Sequence, residues 1–355
     1  MDTQQKPMPR LVGELPVLVI GFALFVLCTG LLAIRGIWPD TGPVLASGSL
    51  FLLSVIAVVC IDAGIVLARY RPASPSAFLG VRYTTPELRT ATLASLPMLA
   101  VCTVLLPYFS KMKAAIPLFN DYTWDATFIA WDRAIFFGQD AWEVMQPVLG
   151  YPIVTATLAL LYHLWLLLLY PGVLWFAFAR MDQTVRRRFF LTYVLSWTVV
   201  GGAMATAFAS VGPCFVGPLL GDRTFDAQMA YLNSANAEVP VMTLRVQQML
   251  LDWFYADANG LGSGITAMPS MHVAIAFLFW LAMRQAAPRA AAWFGLFFAI
   301  TWVSSVHLAY HYAVDGLVSV IAVTLLWQLS GWVFAVWDGW LARQATLRTN
   351  TVPAE

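Results

Sequence analysis

Residues 266–337 have the sequence TAMPSMHVAIAFLFWLAMRQAAPRAAAWFGLFFAITWVSSVHLAYHYAVDGLVSVIAVTLLWQLSGWVFAVW. This stretch contains three apolar runs, at about 266–285, 291–309 and 313–337, with short connections between them. Each run approaches or exceeds the roughly 20 apolar residues that an α-helix needs to cross a bilayer. The C-terminal third is therefore predicted to form three membrane-spanning helices.

Five more runs of this kind precede the stretch, at about 14–34, 44–68, 91–109, 151–179 and 189–212. Across all 355 residues, 60% are hydrophobic and only 11% are charged, whereas a soluble domain carries about 25% charged residues. The first run follows Lys6 and Arg10 but is too long for a signal peptide and has no small-residue cleavage site, so it is expected to be an uncleaved helix. The predicted fold is an all-α polytopic membrane protein with about eight transmembrane helices.

The spacing of the runs predicts three regions. Residues 1–90 hold two N-terminal transmembrane helices and a cytoplasmic loop, and residues 341–355 form a cytoplasmic tail. Between them, residues 91–340 form a six-helix core with two long outer loops, at 110–150 and 213–265. The first loop mixes acids and aromatics at helical spacing, which predicts interfacial helices, and the second has an amphipathic segment around Val241–Tyr255.

Loop charge predicts the orientation. With both termini in the cytoplasm, inside segments hold 14 of the 20 basic residues, as the positive-inside rule requires. The inside residues are Lys6, Arg10, Arg69, Arg71, Arg82, Arg89, Arg180, Arg186, Arg187, Arg188, Arg284, Arg289, Arg343 and Arg348. The other six are Arg35, Lys111, Lys113, Arg133, Arg223 and Arg245. The basic residues form no patch with interleaved aromatics, which argues against a nucleic-acid partner.

The positions of the four cysteines favour a role in packing. Cys28, Cys60 and Cys102 lie inside apolar runs, and Cys214 lies in a loop. No pair has the spacing of a metal site or suggests a disulfide. We therefore interpret the four cysteines as small hydrophobic residues.

Three titratable residues are predicted to meet at one membrane depth on the outer side. His272 opens the sixth predicted helix, His311 ends the seventh, and Asp315 begins the eighth. Such a set supports phosphoryl transfer without a metal or other cofactor. One histidine acts as nucleophile while a carboxylate orients it, and the second histidine acts as general acid and then base.

Each of these residues also has an ordinary structural interpretation. A His-x-x-x-Asp spacing arises by chance, Asp315 can cap a helix, and His272 can be an interfacial histidine. Their predicted meeting on one face favours the functional interpretation over those alternatives.

The local sequences AMPSMHVA (267–274) and Ser304-x6-His311-Tyr312-x2-Asp315 resemble the second and third motifs of the type 2 phosphatidic acid phosphatase superfamily. The Pro-Ser-Met-His form, preceded by GSGITAM, is similar to the branch of fungal inositol phosphorylceramide synthase and its bacterial relatives. The resemblance covers at least residues 190–330. The segment near Asp132–Trp142 is acidic and aromatic, and in this it also resembles that branch.

The resemblance implies a role for each residue. His311 would become a phosphohistidine, Asp315 would orient it, and His272 would be the general acid and base. Ser270 and neighbouring backbone N–H groups at a helix N-terminus would bind phosphate oxygens.

The chain also departs from the superfamily pattern. Ser305 stands where the third motif usually has arginine, Met271 stands where most of its phosphatases have glycine, and the first motif, Lys-x6-Arg-Pro, is absent. A phosphate still needs cationic donors, and the outer candidates are Lys111, Lys113, Arg133, Arg223 and Arg245. We favour Arg223 and Arg245, because their loop leads into His272.

Three functions stay open at this level. The first is a phosphotransferase that moves a phosphoryl-linked headgroup from a lipid phosphate ester onto a lipid or polyprenyl hydroxyl. The second is a lipid phosphate phosphatase with water as acceptor, which the missing cationic motifs weaken. The third is a transporter, which the absence of internal repeats argues against. A bacterial inner membrane, with the site on the periplasmic side, is the expected location.

Overall fold

In the computed structural model, which describes residues 10–38, 40–256, 258, 260 and 262–350, every regular element is a helix. The N-terminal half contains α1 (Arg10–Ile34), α2 (Thr41–Tyr70), α3 (Pro75–Tyr83), α4 (Pro86–Ala114), α5 (Ile116–Phe119), α6 (Asp125–Ile135), α7 (Ala141–Leu149), α8 (Pro152–His163), the π-helical segment Leu168–Gly172 and α9 (Val173–Phe178).

The C-terminal half contains α10 (Gln183–Leu195), the π-helical segment Ser196–Met204, α11 (Ala205–Ala207), α12 (Pro213–Phe215), the π-helical segment Val216–Leu220, α13 (Asp226–Glu238), α14 (Met242–Tyr255), α15 (Met271–Ala286), α16 (Pro288–His307) and α17 (Ala313–Asn350). The amphipathic segment predicted around Val241–Tyr255 is therefore helical. The predicted tail, 341–355, is helical through Asn350, and its last five residues lie outside the described part.

Within the described residues, seven helices are long and apolar enough to span a membrane: Arg10–Ile34, Thr41–Tyr70, Pro86–Ala114, Pro152–Phe178, Gln183–Ala207, Pro288–His307 and Ala313–Leu347. The eighth apolar helix, α15, has only 16 residues. At about 1.5 Å per residue it measures roughly 24 Å, less than a hydrocarbon core of about 30 Å. The polytopic all-α prediction is confirmed, with seven membrane-length helices and a shorter eighth.

The short helix α15 begins later than the apolar run beginning at residue 266 suggested. Ser270 is its N-cap, and the Ser270 hydroxyl accepts a bond from the Val273 amide. Residues 273–279 are buried throughout, and α15 packs against α10, α16 and α17. The helix is therefore shielded by its neighbours, which lets it be shorter than a lipid-facing span.

Aromatic side chains fill the centre of the bundle. The Phe176 and Phe189 rings stack with centroids 3.7 Å apart, and Phe279 packs edge-on against both. Pro171 lies in a π-helical segment, where it interrupts the regular α-helical bonding, as an internal proline does. This packed centre fixes the position of α15 relative to α8, α9 and α10.

Asp62 is a carboxylate in the apolar helix α2, where the sequence alone demands a partner for it. The Arg82 guanidinium donates to both its oxygens, at 2.7 and 2.8 Å, and the Tyr83 hydroxyl donates at 2.8 Å. The short helix α3 therefore supplies that partner.

The loop predicted at 110–150 folds into short helices, of which α6 is the most informative. Asp125, Phe128, Ile129 and Asp132 are buried on one face, and Trp131 lies exposed on the other. This i, i+3, i+4, i+7 spacing is that of an amphipathic helix. Two acids consequently point inward, toward the beginning of α17.

Candidate active site

His272, His311 and Asp315 converge, although they come from three different elements. His272 lies in the first turn of α15, His311 in the link between α16 and α17, and Asp315 in the first turn of α17. The Nδ1 atom of His311 lies 3.0 Å from Oδ2 of Asp315, and the two histidine rings have centroids 6.5 Å apart. The groups that the sequence analysis placed at one depth thus lie side by side.

The link between α16 and α17 is a tight turn that presents His311. The Ser305 carbonyl accepts bonds from the amides of both Tyr310 and His311, and Ala309 adopts a left-handed conformation with φ of 61°. The Asp315 carboxylate also accepts from the Tyr312 amide at 3.1 Å. One oxygen of Asp315 therefore contacts both the turn and the histidine, and its role in orienting a reacting His311 stays a prediction.

Asp315 is completely buried, and Oδ1 has no hydrogen-bond partner among the described residues. A buried carboxylate oxygen is costly to leave unpaired. This unpaired oxygen belongs to Asp315, the residue that contacts His311. A positive charge that develops on the His311 ring would therefore interact with the Asp315 carboxylate.

Two acids of α6 hold the same turn from the other side. Asp132 accepts bonds from the amides of Ala313 and Val314, at 2.7 and 2.9 Å, and so caps the N-terminus of α17. Asp125 accepts from the Tyr312 hydroxyl at 2.7 Å and from the amides of Val211 and Gly212. Asp132 was noted in the sequence only for its surroundings, and Asp125 was missed. Their spacing of seven on an amphipathic helix was the available signal.

The His272 ring lies between two aromatic rings of the α8 segment. Tyr162 stacks on it at 4.3 Å, with 17° between the planes, and the Trp165 ring lies 4.1 Å away. Tyr310 stacks in turn on Tyr162 at 5.4 Å. Aromatic rings therefore cover the faces of the imidazole. Proton exchange can take place only at the ring nitrogens on its edge. Local sequence patterns do not predict these contacts, because Tyr162 and Trp165 are more than 100 residues from His272 in the chain.

Ser270 joins α15 to α17. Besides capping α15, its carbonyl accepts from the Ser319 hydroxyl at 3.0 Å, and its side chain is fully buried. The position is compatible with the phosphate-binding role that the resemblance implies. That role stays a prediction.

The structure does not bring Arg223 or Arg245 to the histidines. Arg223 has an 88% exposed side chain paired with Asp226 at 2.8 Å, and Arg245 is exposed on α14. The loop that carries them folds into helices α13 and α14, which turn both arginines outward. Of the other outer candidates, Arg133 pairs with Asp140 at 2.7 Å.

Lys113, near the end of α4, is a cation whose charge acts to lower the pKa of His311. The GSG segment explains why it is close. The Gly262 amide donates to the Ser110 hydroxyl, and a Cβ at Gly264, whose φ is 89°, would meet the backbone of Ala114. The segment leading to His272 therefore passes directly against the end of α4. The predicted span 91–109 stopped short of Lys113, whereas α4 continues past it.

The surroundings keep His311 neutral. The pKa of His311 is lowered to about 3, chiefly by burial and also by the Lys113 charge, while the hydrogen bond with the Ala267 backbone acts to raise it. A neutral imidazole whose Nδ1–H donates a hydrogen bond to Asp315 keeps a free electron pair on Nε2. This arrangement is compatible with the nucleophilic role that the resemblance implies for His311, and that role stays a prediction.

No group of three or more His, Cys, Asp or Glu side chains is arranged to hold a metal ion in the described part of the chain. This centre contains a histidine that is hydrogen-bonded to a buried carboxylate, a second histidine 6.5 Å away between ring centroids, and a lysine whose charge acts on His311.

A family model described as the PAP2 superfamily matches residues 126–329, more than half of the chain. The match contains Asp132, His272, His311 and Asp315, and it leaves out α1–α5 and Lys113. No curated protein and no solved structure matches the chain. The chain belongs to the PAP2 superfamily. Together with its membrane-length helices, membership fits a membrane lipid phosphatase or phosphotransferase.

Proposed function

We propose that the protein is a phosphotransferase that moves a phosphoryl-linked headgroup from a lipid phosphate ester onto a lipid or polyprenyl hydroxyl. The observation that carries the proposal is the His311–Asp315 contact of 3.0 Å with a second histidine 6.5 Å away, ring to ring. The Pro-Ser-Met-His form and the missing Lys-x6-Arg-Pro motif support transfer over hydrolysis, since the inositol phosphorylceramide synthase branch shares them.

In the first step, Nε2 of His311 attacks phosphorus in line with the bond to the donor's lipid oxygen. The N–P bond forms as that P–O bond breaks, and protonated His272 gives its proton to the departing alkoxide. Asp315 stabilises the positive charge that develops on the His311 ring. The products are a phosphohistidine that carries the headgroup and a free lipid alcohol.

In the second step, neutral His272 takes the proton of the acceptor hydroxyl. The acceptor oxygen attacks phosphorus, the N–P bond breaks, and its electron pair returns to His311. The cycle ends with both histidines as they began, and the acceptor carries the headgroup.

Lys113 and the N-terminus of α15 support the phosphate oxygens in this scheme. A lysine charge in a dry site stabilises the negative charge of the transition state, and backbone N–H groups at a helix start favour anions. Lys113 thereby takes the place of the absent motif cations. On the predicted topology the reaction occurs at the outer leaflet, in a bacterial inner membrane with both termini in the cytoplasm.

Product analysis in liposomes tests the proposal. Purified protein receives a panel of phospholipid and polyprenyl phosphate donors, with and without lipid alcohols. We expect a new phosphodiester lipid that requires the acceptor and disappears in His311→Ala. The matched control is His307→Gln, one turn earlier, where His307 Nε2 bonds the Thr155 hydroxyl at 2.9 Å. Phosphate released equally without an acceptor would instead make the protein a phosphatase, and full activity of His311→Ala would end this mechanism.

A further inference from the structure

A cavity of about 780 Å³ lies between α1, α4 and the π-helical segment Ser196–Met204. None of the catalytic residues lines it. Its walls come from residues 18–31 of α1, residues 100–112 of α4 and residues 194–207, with Phe119 and Asn120 at one end.

The cavity offers almost no polar group to a ligand. Asn120 donates to the Thr206 carbonyl, the Thr206 hydroxyl donates to the Gly202 carbonyl, and the Thr198 hydroxyl donates to the Val194 carbonyl. The remaining walls are mainly Leu, Val, Phe and Ala side chains. Such a lining suits an aliphatic occupant, because a polar one would lose its hydrogen bonds to water without replacement.

One end of the cavity lies near the catalytic centre. Met112 lines the cavity and precedes Lys113 in α4. Phe109 and Trp197, also in the lining, pack at 4.5 Å, and Trp197 lies 6.2 Å from Trp165, which contacts His272. One layer of aromatic rings thus separates the cavity from the general acid.

The other side of the cavity opens between the helices. Phe22 and Leu27, at its edge on α1, are 68% and 56% exposed. Both lie in a helix of membrane-spanning length, so the opening is at the depth of the lipid chains. A chain can therefore enter sideways from the bilayer.

We propose that this cavity binds one acyl chain of the donor lipid, the chain of the alcohol that leaves in the first step. The inference rests on the proposed function, and it assigns chain binding to α1 and α4, which lie outside the region matched by the family model. An apolar cavity of about 150 Å³ accommodates benzene, so this one has room for roughly five such volumes, enough for a long chain.

Photo-cross-linking tests occupancy without needing turnover. The probe is phosphatidic acid with a diazirine at the end of one acyl chain, in phosphatidylcholine liposomes, with His311→Ala protein so that no reaction occurs. We expect adducts on residues 18–31 and 100–112, removed by dioleoyl phosphatidic acid but not by additional dioleoyl phosphatidylcholine. Adducts spread evenly over α2 and α16, or equal displacement by phosphatidylcholine, would show ordinary surrounding lipid and overturn the proposal.

Chain-length dependence tests the consequence for the reaction. Ala203→Trp places an indole inside the cavity and takes up part of its volume, and Ala299→Trp places the same side chain on an exposed position of α16 away from it. Phosphate transfer from labelled phosphatidic acid to the protein is measured with dioleoyl and dihexanoyl donors. We expect the preference for the dioleoyl donor to fall about tenfold in Ala203→Trp, the effect of losing contact with about two methylenes, and to be unchanged in Ala299→Trp.

The two proposals fail differently. If the wild-type protein takes up phosphate and Ala203→Trp affects both donors equally, chain binding in this cavity is wrong and the phosphohistidine mechanism stands. If the wild-type protein takes up phosphate from no donor of the panel while the cross-links still map to α1 and α4, the reaction is wrong and the cavity remains a lipid site.

Discussion

Asp315 is the residue on which the nucleophile depends most directly. One of its oxygens contacts both His311 Nδ1 and the Tyr312 amide, at 3.0 and 3.1 Å. An ionised carboxylate at that position selects the tautomer with the proton on Nδ1, because it can only accept. Its burial means that solvent does not substitute for it.

Replacing Asp315 with asparagine should therefore abolish nearly all transfer while leaving the fold intact. The amide can turn its NH2 toward His311 and select the wrong tautomer, and in a serine protease triad the equivalent change costs on the order of 10⁴-fold in rate. Stopped-flow measurement of phosphohistidine formation checks this, with thermal unfolding as control. Retention of more than a tenth of the wild-type rate would argue that Asp315 only caps α17.

Lys113 provides the second test at this scale. We expect Lys113→Met to lower kcat/KM by on the order of 10²–10³-fold, the usual effect of removing one donor to a developing anion. Lys113→Arg should recover part of the loss, because the positive charge is kept. The matched control is Lys111→Met, since Lys111 lines a separate small pocket with Asp40 and Ser263.

An equal loss in the two methionine variants would instead indicate a general effect of charge near the membrane surface. The exposed Arg223 gives a further comparison. Arg223→Ala should leave kcat/KM unchanged, because its side chain pairs with Asp226 in solvent.

At the scale of elements, α6 determines where α17 begins. Asp132 binds two backbone amides at the N-terminus of α17 from a helix that precedes α17 by nearly 180 residues. Burial raises the pKa of Asp132 to about 6, although the two amides act to lower it. Asp132 is thus a group near the site whose charge is lost at a pH of about 6.

Transfer activity should therefore fall as pH drops through about 6, because protonated Asp132 binds the two amides less well. Asp132→Asn should show a low, flat profile over pH 5–7, since asparagine has no charge to lose. His311 does not produce this inflection, because its pKa is lowered to about 3. The measurement is kcat against pH for both proteins, with the exposed Asp121→Asn as control. An unchanged inflection in Asp132→Asn would assign it to another group.

The difference between Lys113 and the histidines shows what the sequence could predict. His272, His311 and Asp315 lie at the ends of apolar runs, so run boundaries alone placed them at one depth. Lys113 became relevant only because Gly264 lets the chain pass against Ala114, a contact between distant segments. The aromatic rings around His272 and the role of Asp125 depend on such contacts too, and local patterns do not contain them.

At the scale of the whole molecule, hydropathy predicted the helices well because the bilayer imposes their length. The exception was α15, whose position at the centre of the bundle removes that constraint. An internal helix and a lipid-facing helix have the same apolar composition, and the sequence alone does not separate them.

The orientation is open to a direct test. On the predicted topology, a cysteine replacing Gln139, which is exposed after α6, reacts with an impermeant maleimide added outside intact cells. A cysteine replacing the exposed Ser76 of α3 reacts only after the membrane is opened. The unsubstituted protein controls for its own cysteines. The reverse pattern would place the histidines on the cytoplasmic side.

The two faces of α6 have a practical consequence. Its inner face holds the turn that carries His311, while Trp131 and Arg133, on the two flanks of that face, are each 44% exposed. A reagent that binds the Trp131 and Arg133 side chains contacts neither the lipid substrate nor the histidines. By displacing α6 it would nevertheless loosen the start of α17. An antibody fragment against α6 should accordingly act as a noncompetitive inhibitor, switching the chemistry off from the surface without entering the membrane.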